Sequence, residues 1–285
     1  MESGNIASLR EIRIKNRDFN ELCSFVHEVA GINLTEAKSE LVRARLSKRM
    51  RSLNIFDLGD YLRYVKEEQT QDELITMLDS LSTNLTSFFR EKAHFDFVKG
   101  TILPEITARA KKGGDVSVRI WSAGCSTGEE PYTLALCLLE QLPNPRRFTP
   151  KILASDISTR VLQTAQEGVY HEDRVLAIPK VLLHRYFEKV TEKGRKFYAV
   201  RNELKQIVRF RHLNLMEGWP MKRQFDFVFC RNTMIYFDKP TQSRLVNRFY
   251  DQIKSGGYLI LGHSESLTGT THKFQYIKPT IYRKA

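Results

Sequence analysis

Residues 121–131, Trp-Ser-Ala-Gly-Cys-Ser-Thr-Gly-Glu-Glu-Pro, constrain the fold more than any other stretch of this chain. A short apolar run through Val118, Ile120 and Trp121 has the character of a strand, Gly124 and Gly128 bracket a turn of small residues, and helical spacing follows from Pro131 to Leu139. Strand, tight loop and helix in that order open an α/β unit. In such sheets the loop lies at the carboxyl end of the strand, where missing Cβ atoms let a ligand approach the backbone.

The loop's chemistry narrows the ligand. A phosphate cradle uses exposed amides and a Lys in the spacing Gly-x-x-x-x-Gly-Lys, whereas Gly128 is followed here by Glu129 and Glu130. Two carboxylates at a helix start repel phosphate, suit the helix dipole and accept hydrogen bonds from a cationic or amino-bearing ligand. The Gly-x-x-x-Gly spacing is not the dinucleotide fingerprint either. A second strand around residues 151–154 is followed by Ser155-Asp156-Ile157-Ser158, which places Asp156 where an acidic residue binds the hydroxyls of a ribose. The alternative role for Asp156 is a helix cap. A glycine loop without phosphate chemistry plus a ribose carboxylate points to a nucleoside lacking a pyrophosphate. S-adenosylmethionine (SAM), with its sulfonium and ammonium groups, fits an acidic surround.

At 285 residues the chain has room for one large α/β domain and a smaller second one. It lacks an apolar run of membrane-spanning length and a signal-peptide core, so a cytoplasmic location without direct membrane insertion is expected. Cys23, Cys125, Cys137 and Cys230 show no Cys-x-x-Cys spacing and read as reduced thiols, with no metal expected. A net charge of +12 raises nucleic acid, a membrane surface or an acidic protein as partners. Up to Asp79 the chain is not basic overall, but Arg43, Arg45, Lys48, Arg49 and Arg51 crowd into one helical run with no acidic residue among them. The two readings of that stripe are a solvated face and a docking surface for an acidic partner, and its lack of interspersed acids favours the second.

Helical periods over the first eighty residues, with Gly31 as a stop, predict a small bundle. Residues 81–90, Leu-Ser-Thr-Asn-Leu-Thr-Ser-Phe-Phe-Arg, are too aromatic for a plain linker, so Asn84, Thr86 and Arg90 are expected to turn polar groups into a cleft. A helix from Glu91 is expected to kink at Pro104 and to end in the turn Lys111-Lys112-Gly113-Gly114. Residues 188–210 read as an inserted antiparallel hairpin around Lys193-Gly194-Arg195-Lys196, with a further strand at 207–210. The apolar run Phe225–Cys230 reads as a buried strand ending in Arg231-Asn232-Thr233-Met234-Ile235-Tyr236, which makes Arg231, Asn232 and Tyr236 site candidates by position. Residues 281–283 are expected to close the sheet.

Four motifs in this order, Asn84–Arg90, Ser122–Tyr132, Ala154–Ile157 and Phe229–Asp238, resemble the bacterial chemotaxis receptor methyltransferases, the CheR family. The resemblance covers nearly the whole chain. It implies a Rossmann-like class I SAM-dependent methyltransferase sheet with an inserted small antiparallel β subdomain, preceded by a small all-α domain. The expected boundaries are residues 1–80 for the all-α domain, 81–90 for a linker contributing to the cofactor site and 91–285 for the methyltransferase domain, with the β subdomain at about 188–210. It implies methyl transfer from SAM to glutamate side chains on chemoreceptor helices, leaving S-adenosylhomocysteine and a glutamyl methyl ester, as in a protein-glutamate O-methyltransferase.

Carried over by position, Asn84, Thr86, Arg90, Glu130, Asp156, Asn214, Leu215, Arg231 and Asn232 are expected to line the cofactor site, with Tyr236 beside the methyl group. Arg90 and Arg231 are the expected carboxylate-positioning residues, acting on the cofactor's amino-acid end or on the incoming glutamate. The basic helix is expected to dock the receptor. The hairpin holds a receptor's carboxy-terminal peptide in some members, but its tip here is more basic and less glycine-rich, which leaves that partner open. Rival readings are a non-catalytic SAM-binding scaffold on receptors and a nucleic-acid methyltransferase. The second expects Asp/Asn-Pro-Pro-Tyr/Phe where this chain has Arg231-Asn232-Thr233-Met234, so no nucleic-acid partner is expected.

Overall fold

The computed structural model describes residues 12–67, 72–110, 116–143 and 147–285. The expected turn at Lys111–Gly114 lies outside them. The chain divides into two compact units, at Ser82 and Thr83.

In the first unit, helix α1 (Asn16–Ala30) buries Phe19, Leu22 and Val26 at helical spacing and ends where Gly31, at φ 71°, returns its N–H to the carbonyl of His27. A single 3₁₀ turn (Glu36–Lys38) leads into α2 (Ser39–Ser52), and α3 (Leu58–Glu67) and α4 (Asp72–Leu81) complete the described helices. Val42, Leu46, Met50, Tyr61, Leu62 and Met77 close its core.

The second unit begins with one long helical run broken by geometry rather than by a stop. Helix α5 (Lys92–Phe97) widens into a π turn (Val98–Ile102) before α6 (Leu103–Ala110). Pro104 cannot donate to the preceding turn, and the wider i→i+5 turn ahead of it absorbs the missing bond, so a π turn rather than a simple kink marks the site.

Strand β1 (Val116–Ala123) leads through the glycine loop to α7 (Glu129–Gln141), then to β2 (Phe148–Asp156) and α8 (Thr159–Glu167). Pro150 lies inside β2, where it is tolerated because pairing on that strand's second side starts only at Ile152. Next come β3 (Val169–His171), α9 (Lys180–Tyr186), β4 (Phe187–Glu192), β5 (Arg195–Val200), α10 (Asn202–Lys205) and β6 (Val208–His212). The chain ends with β7 (Phe225–Cys230), α11 (Lys239–Gln252), β8 (Ile253–Leu261), β9 (Gln275–Lys278) and β10 (Ile281–Arg283).

The main sheet has the order β6-β2-β1-β7-β8-β10-β9. The first five of these strands are mutually parallel, and β10 runs antiparallel between β8 and β9. The order reverses between β1 and β7, which makes the crevice beyond their carboxyl ends the topological switch point where open α/β sheets bind ligands. The central strands are buried on both faces. Val118 and Ile120 of β1 and Phe227 and Phe229 of β7 enter one core, while Trp121, Ala123, Val228 and Cys230 enter the other.

Two sequence expectations change here. Val208–His212, expected with the hairpin, instead pairs in parallel with β2 as an edge of the main sheet. The separate antiparallel sheet is β3-β5-β4, so it recruits Val169–His171 from ahead of the hairpin. Ile281–Arg283 does not close the sheet, because Gln275–Lys278 pairs outside it.

Candidate active site

Three loops and one strap meet at the carboxyl rim around the β1/β7 switch point. Four non-glycine residues in the sparsely populated left-handed region, Phe89, Glu91, Ser126 and Asn232, stand there, and such strain persists only where surrounding bonds enforce it.

The loop after β1 hangs from the end of β2. Gly124 and Cys125 donate their N–H groups to the Ser155 carbonyl at 2.8 and 2.9 Å, and Ser126 donates its N–H to Asp156 Oδ2 at 2.8 Å. The two loop glycines answer to protein rather than to a ligand. A Cβ on Gly124 would lie 2.2 Å from Thr233 Oγ1, and one on Gly128 2.8 Å from the Ala165 Cβ. Both also have positive φ, so β1, β7 and α8 close on each other through these positions.

The paired glutamates divide in role. Glu129 is fully buried and is held by the Thr127 hydroxyl at 2.8 Å and by the Arg174 guanidinium. Glu130 faces the rim, where its carboxylate accepts from Ser122 Oγ at 2.7 Å and from Arg231 Nη1 at 2.9 Å. Burial raises the pKa of both, and the nearby arginines offset this only in part.

Asp156 is not the cap of α8. Ser158 fills that place, its hydroxyl accepting from Val161 N–H at 3.3 Å, while Asp156 binds the Ser126 and Ser158 amides from the end of β2. Asn214 is buried and orders its own turn by accepting from Met216 N–H at 3.0 Å, and Leu215 packs into the second core.

Residues 83–91 form the strap. Ser126 Oγ donates to the Asn84 carbonyl at 2.9 Å, Arg90 Nη1 to the Leu85 carbonyl at 2.6 Å, and Phe89 N–H to Thr133 Oγ1 at 3.2 Å. Phe88 is buried edge-on against Tyr170 and Phe187. Asn84 and Thr86 are half-buried at a cleft of about 530 Å³, which Arg174 and Leu176 line opposite them. The amide nitrogen of Asn84 is buried without a partner among the described residues.

Arg231 joins the strap to the sheet. Its side chain, 2% exposed, donates to Glu130, to Glu91 Oε2 at 3.0 Å and to the Arg90 carbonyl, and lies near the rings of Phe95 and Phe229. Both terminal nitrogens are thus engaged within the protein. Glu91 also accepts from Asn232 Nδ2 at 3.3 Å and from His263 N–H at 3.1 Å. Burial alone would raise its pKa, but Arg231 and the other donors bring it below the ordinary value. Tyr236, half-buried on the 3₁₀ turn after β7, donates to the Thr83 carbonyl at 3.4 Å.

Sequence reading missed four groups here. Glu91 follows directly on the strap motif, Arg174 neutralises Glu129, and Glu265 accepts the N–H groups of Asn232, Met234, Ile235 and Gly262 at 2.6 to 3.2 Å. Buried His94 has its pKa lowered to about 4, by burial first and by Arg231 next, and hydrogen-bonds Thr280 at 2.7 Å. Ligand atoms of Glu91, His94 and His263 lie within 4.8 Å of one another, a spacing that a metal ion can bridge. The Glu91 carboxylate already answers the fixed Arg231 cation, so a divalent ion there would meet a guanidinium at short range. The donor set suits a hydrogen-bond network better than a metal.

Family models match along both units: "CheR methyltransferase, all-alpha domain" over residues 17–82 and "CheR methyltransferase, SAM binding domain" over residues 84–283. The chain belongs to the CheR methyltransferase family. Among relatives of this CheR protein, the chemotaxis protein methyltransferase of Borreliella burgdorferi is 41% identical over 275 residues, 96% of each chain. Chemotaxis protein methyltransferase 2 of Pseudomonas aeruginosa is 38% identical, covering 97% of this chain and 96% of its own. The SAM-bound amino pentose methyltransferase CalS10 of Micromonospora echinaspora overlays 63% of this chain and 58% of its own at 17% identity and a TM-score of 0.32, too loose a match to argue from. The CheR domain is thus a SAM-binding methyltransferase domain, and no helix among the described residues is long and apolar enough to cross a membrane.

In the helical unit the basic stripe is less free than the sequence suggests. Arg49 turns inward to pair with buried Glu73, which also accepts from the Tyr61 hydroxyl at 2.7 Å. Arg45 donates to the Leu81 carbonyl at 2.6 Å, and Arg43 lies 3.6 Å from Glu40. Lys48 and Arg51 are exposed.

Proposed function

We propose that this protein transfers the methyl group of SAM to glutamate side chains on helices of methyl-accepting chemotaxis receptors, forming γ-glutamyl methyl esters in the cytoplasm. The relatives named chemotaxis protein methyltransferase support the setting. The observation that carries the chemistry is the excess of carboxylates at the rim, where Glu91 and buried Glu130 flank Arg231, the one buried Lys or Arg among the described residues, and buried Glu265 sits on the amides of the adjoining turn. A cationic ligand relieves that excess, and the Asn84 amide, without a partner among the described residues, can donate to an acceptor atom of such a ligand.

The residues suited to hold SAM are Asn84, Thr86, Arg90, Glu130, Asp156, Asn214, Leu215, Arg231 and Asn232. SAM would supply an activated methyl on a sulfonium. A glutamate acceptor has a pKa near about 4.3 and is ionised at pH 7, so this chain needs no general base. Its residues must exclude water and hold the acceptor oxygen in line at about 3–3.5 Å from the methyl carbon. Arg90 and Tyr236, both half-buried at the strap, suit the acceptor side. Arg231, engaged by two carboxylates, suits orienting the site rather than gripping the substrate.

The test is transfer from methyl-labelled SAM to receptor-bearing membranes. Label released as methanol by mild base is the expected result. Stable label on protein, label on RNA or DNA, or cofactor binding without transfer would overturn this reading.

A further inference from the structure

Glu91 ties together three segments that the main sheet alone does not hold: the strap, the loop after β7 and the loop after β8. Its own backbone is left-handed at φ 56°, and its side chain is 11% exposed. Three of its partners donate to it. Arg231 Nη2 and the His263 N–H reach Oε2 at 3.0 and 3.1 Å, and Asn232 Nδ2 reaches Oε1 at 3.3 Å. Only a carboxylate accepts at both oxygens, whereas an amide of the same size would set an N–H against an N–H. His94 packs beside the group, with Nδ1 3.4 Å from Glu91 Oε2 and Nε2 bonded to Thr280.

We infer that Glu91 is a positioning residue of the SAM site, fixing Arg231 and Asn232 in the orientation that receives the cofactor. The inference rests on the reading that Arg231 and Asn232 line that site. It explains why Asn232 keeps a left-handed backbone: Glu91 holds its side chain while Glu265 holds its N–H. It also explains why a Glu, which repels other carboxylates, stands near Glu130. With one guanidinium between them, neither acid can move without turning Arg231.

Titration calorimetry of SAM and S-adenosylhomocysteine on the full-length protein tests this, using Glu91→Gln, Asn232→Ala and the double variant. Glu91→Gln is expected to weaken SAM binding at least tenfold and to raise the cofactor KM by more than it lowers kcat. The double variant should bind within twofold of the weaker single variant, as residues acting as one unit do. Glu91→Asp, which keeps the charge but shortens its reach, should recover part of the loss and guards against a folding defect in the amide variant. Wild-type affinity in Glu91→Gln, or losses that multiply in the double variant, would overturn the inference alone. Wild-type affinity in Asn232→Ala would overturn the site assignment and the inference with it.

Discussion

Each of the two units sets an arginine against a buried glutamate, and the two groupings are balanced differently. In the helical unit Arg49 meets Glu73, and the Tyr61 hydroxyl also donates to that carboxylate. At the sheet rim one cation, Arg231, stands between Glu91 and Glu130, with Glu265 close by on backbone amides alone. Among the described residues the first arrangement sets one cation against one anion. The second holds three carboxylates to one cation among the described residues, an excess that suits a positive ligand. Burial of charge therefore does not distinguish a structural pair from a site, but its imbalance does.

The sharpest way to break this comparison is to remove Arg231. Arg231→Ala leaves two carboxylates buried without their cation, which costs about 3–5 kcal/mol of stability, and methyl transfer should fall by more than about a hundredfold. Wild-type melting together with wild-type turnover would show that the rim is not organised by this charge. Glu73→Ala should cost less, about 1.5–3 kcal/mol by denaturant titration, since it loses charged hydrogen bonds at a site where Arg49 retains some solvent. Its cofactor affinity should be unchanged, and any shift in that affinity would remove the contrast between the units.

A pH series sharpens the comparison further. Because burial raises the pKa of Glu130, the fold favours its protonated form, and its contribution to stability is lost as pH rises through that raised value. Cation binding favours the opposite form. SAM affinity should therefore be full above that pKa and weaken as pH falls through it, with proton release on binding in that window. Calorimetry in buffers of different ionisation enthalpy reads this directly, and flat affinity from pH 7 to 4.5 would count against it. The smallest effect belongs to the stripe. Reversing Lys48 and Arg51 to Glu should raise the receptor KM about two- to fivefold at low salt, and the increase should fade as salt is added. A rise that persists in high salt would point to a contact other than charge.

Much of this was legible in the sequence because the central strands are continuous apolar runs with turns at both ends. Gln275–Lys278 was not, since an edge strand with Tyr276 and Ile277 exposed carries no buried alternation to read. Val208–His212 alternates in the same way whichever sheet it joins, and only its partner β2 settles the matter. In the sequence, Glu130 announced itself at a helix start after the glycine loop, Asp156 at the end of a strand and Arg231 just beyond one. Glu91 and Glu265 did not, because their partners are backbone amides and side chains far along the chain, and no local spacing records such pairings. Arg49 read as a surface charge for the same reason, its partner lying on another helix.

The clamp formed by Glu265 has a consequence for how anything enters. With the N–H groups of Asn232, Met234, Ile235 and Gly262 on one carboxylate, the turns following β7 and β8 are fastened to each other a second time, beside the link through Glu91. The strap is fastened differently. There the segment around Leu85, whose side chain is 79% exposed, is anchored by a handful of separate bonds that can be released one at a time.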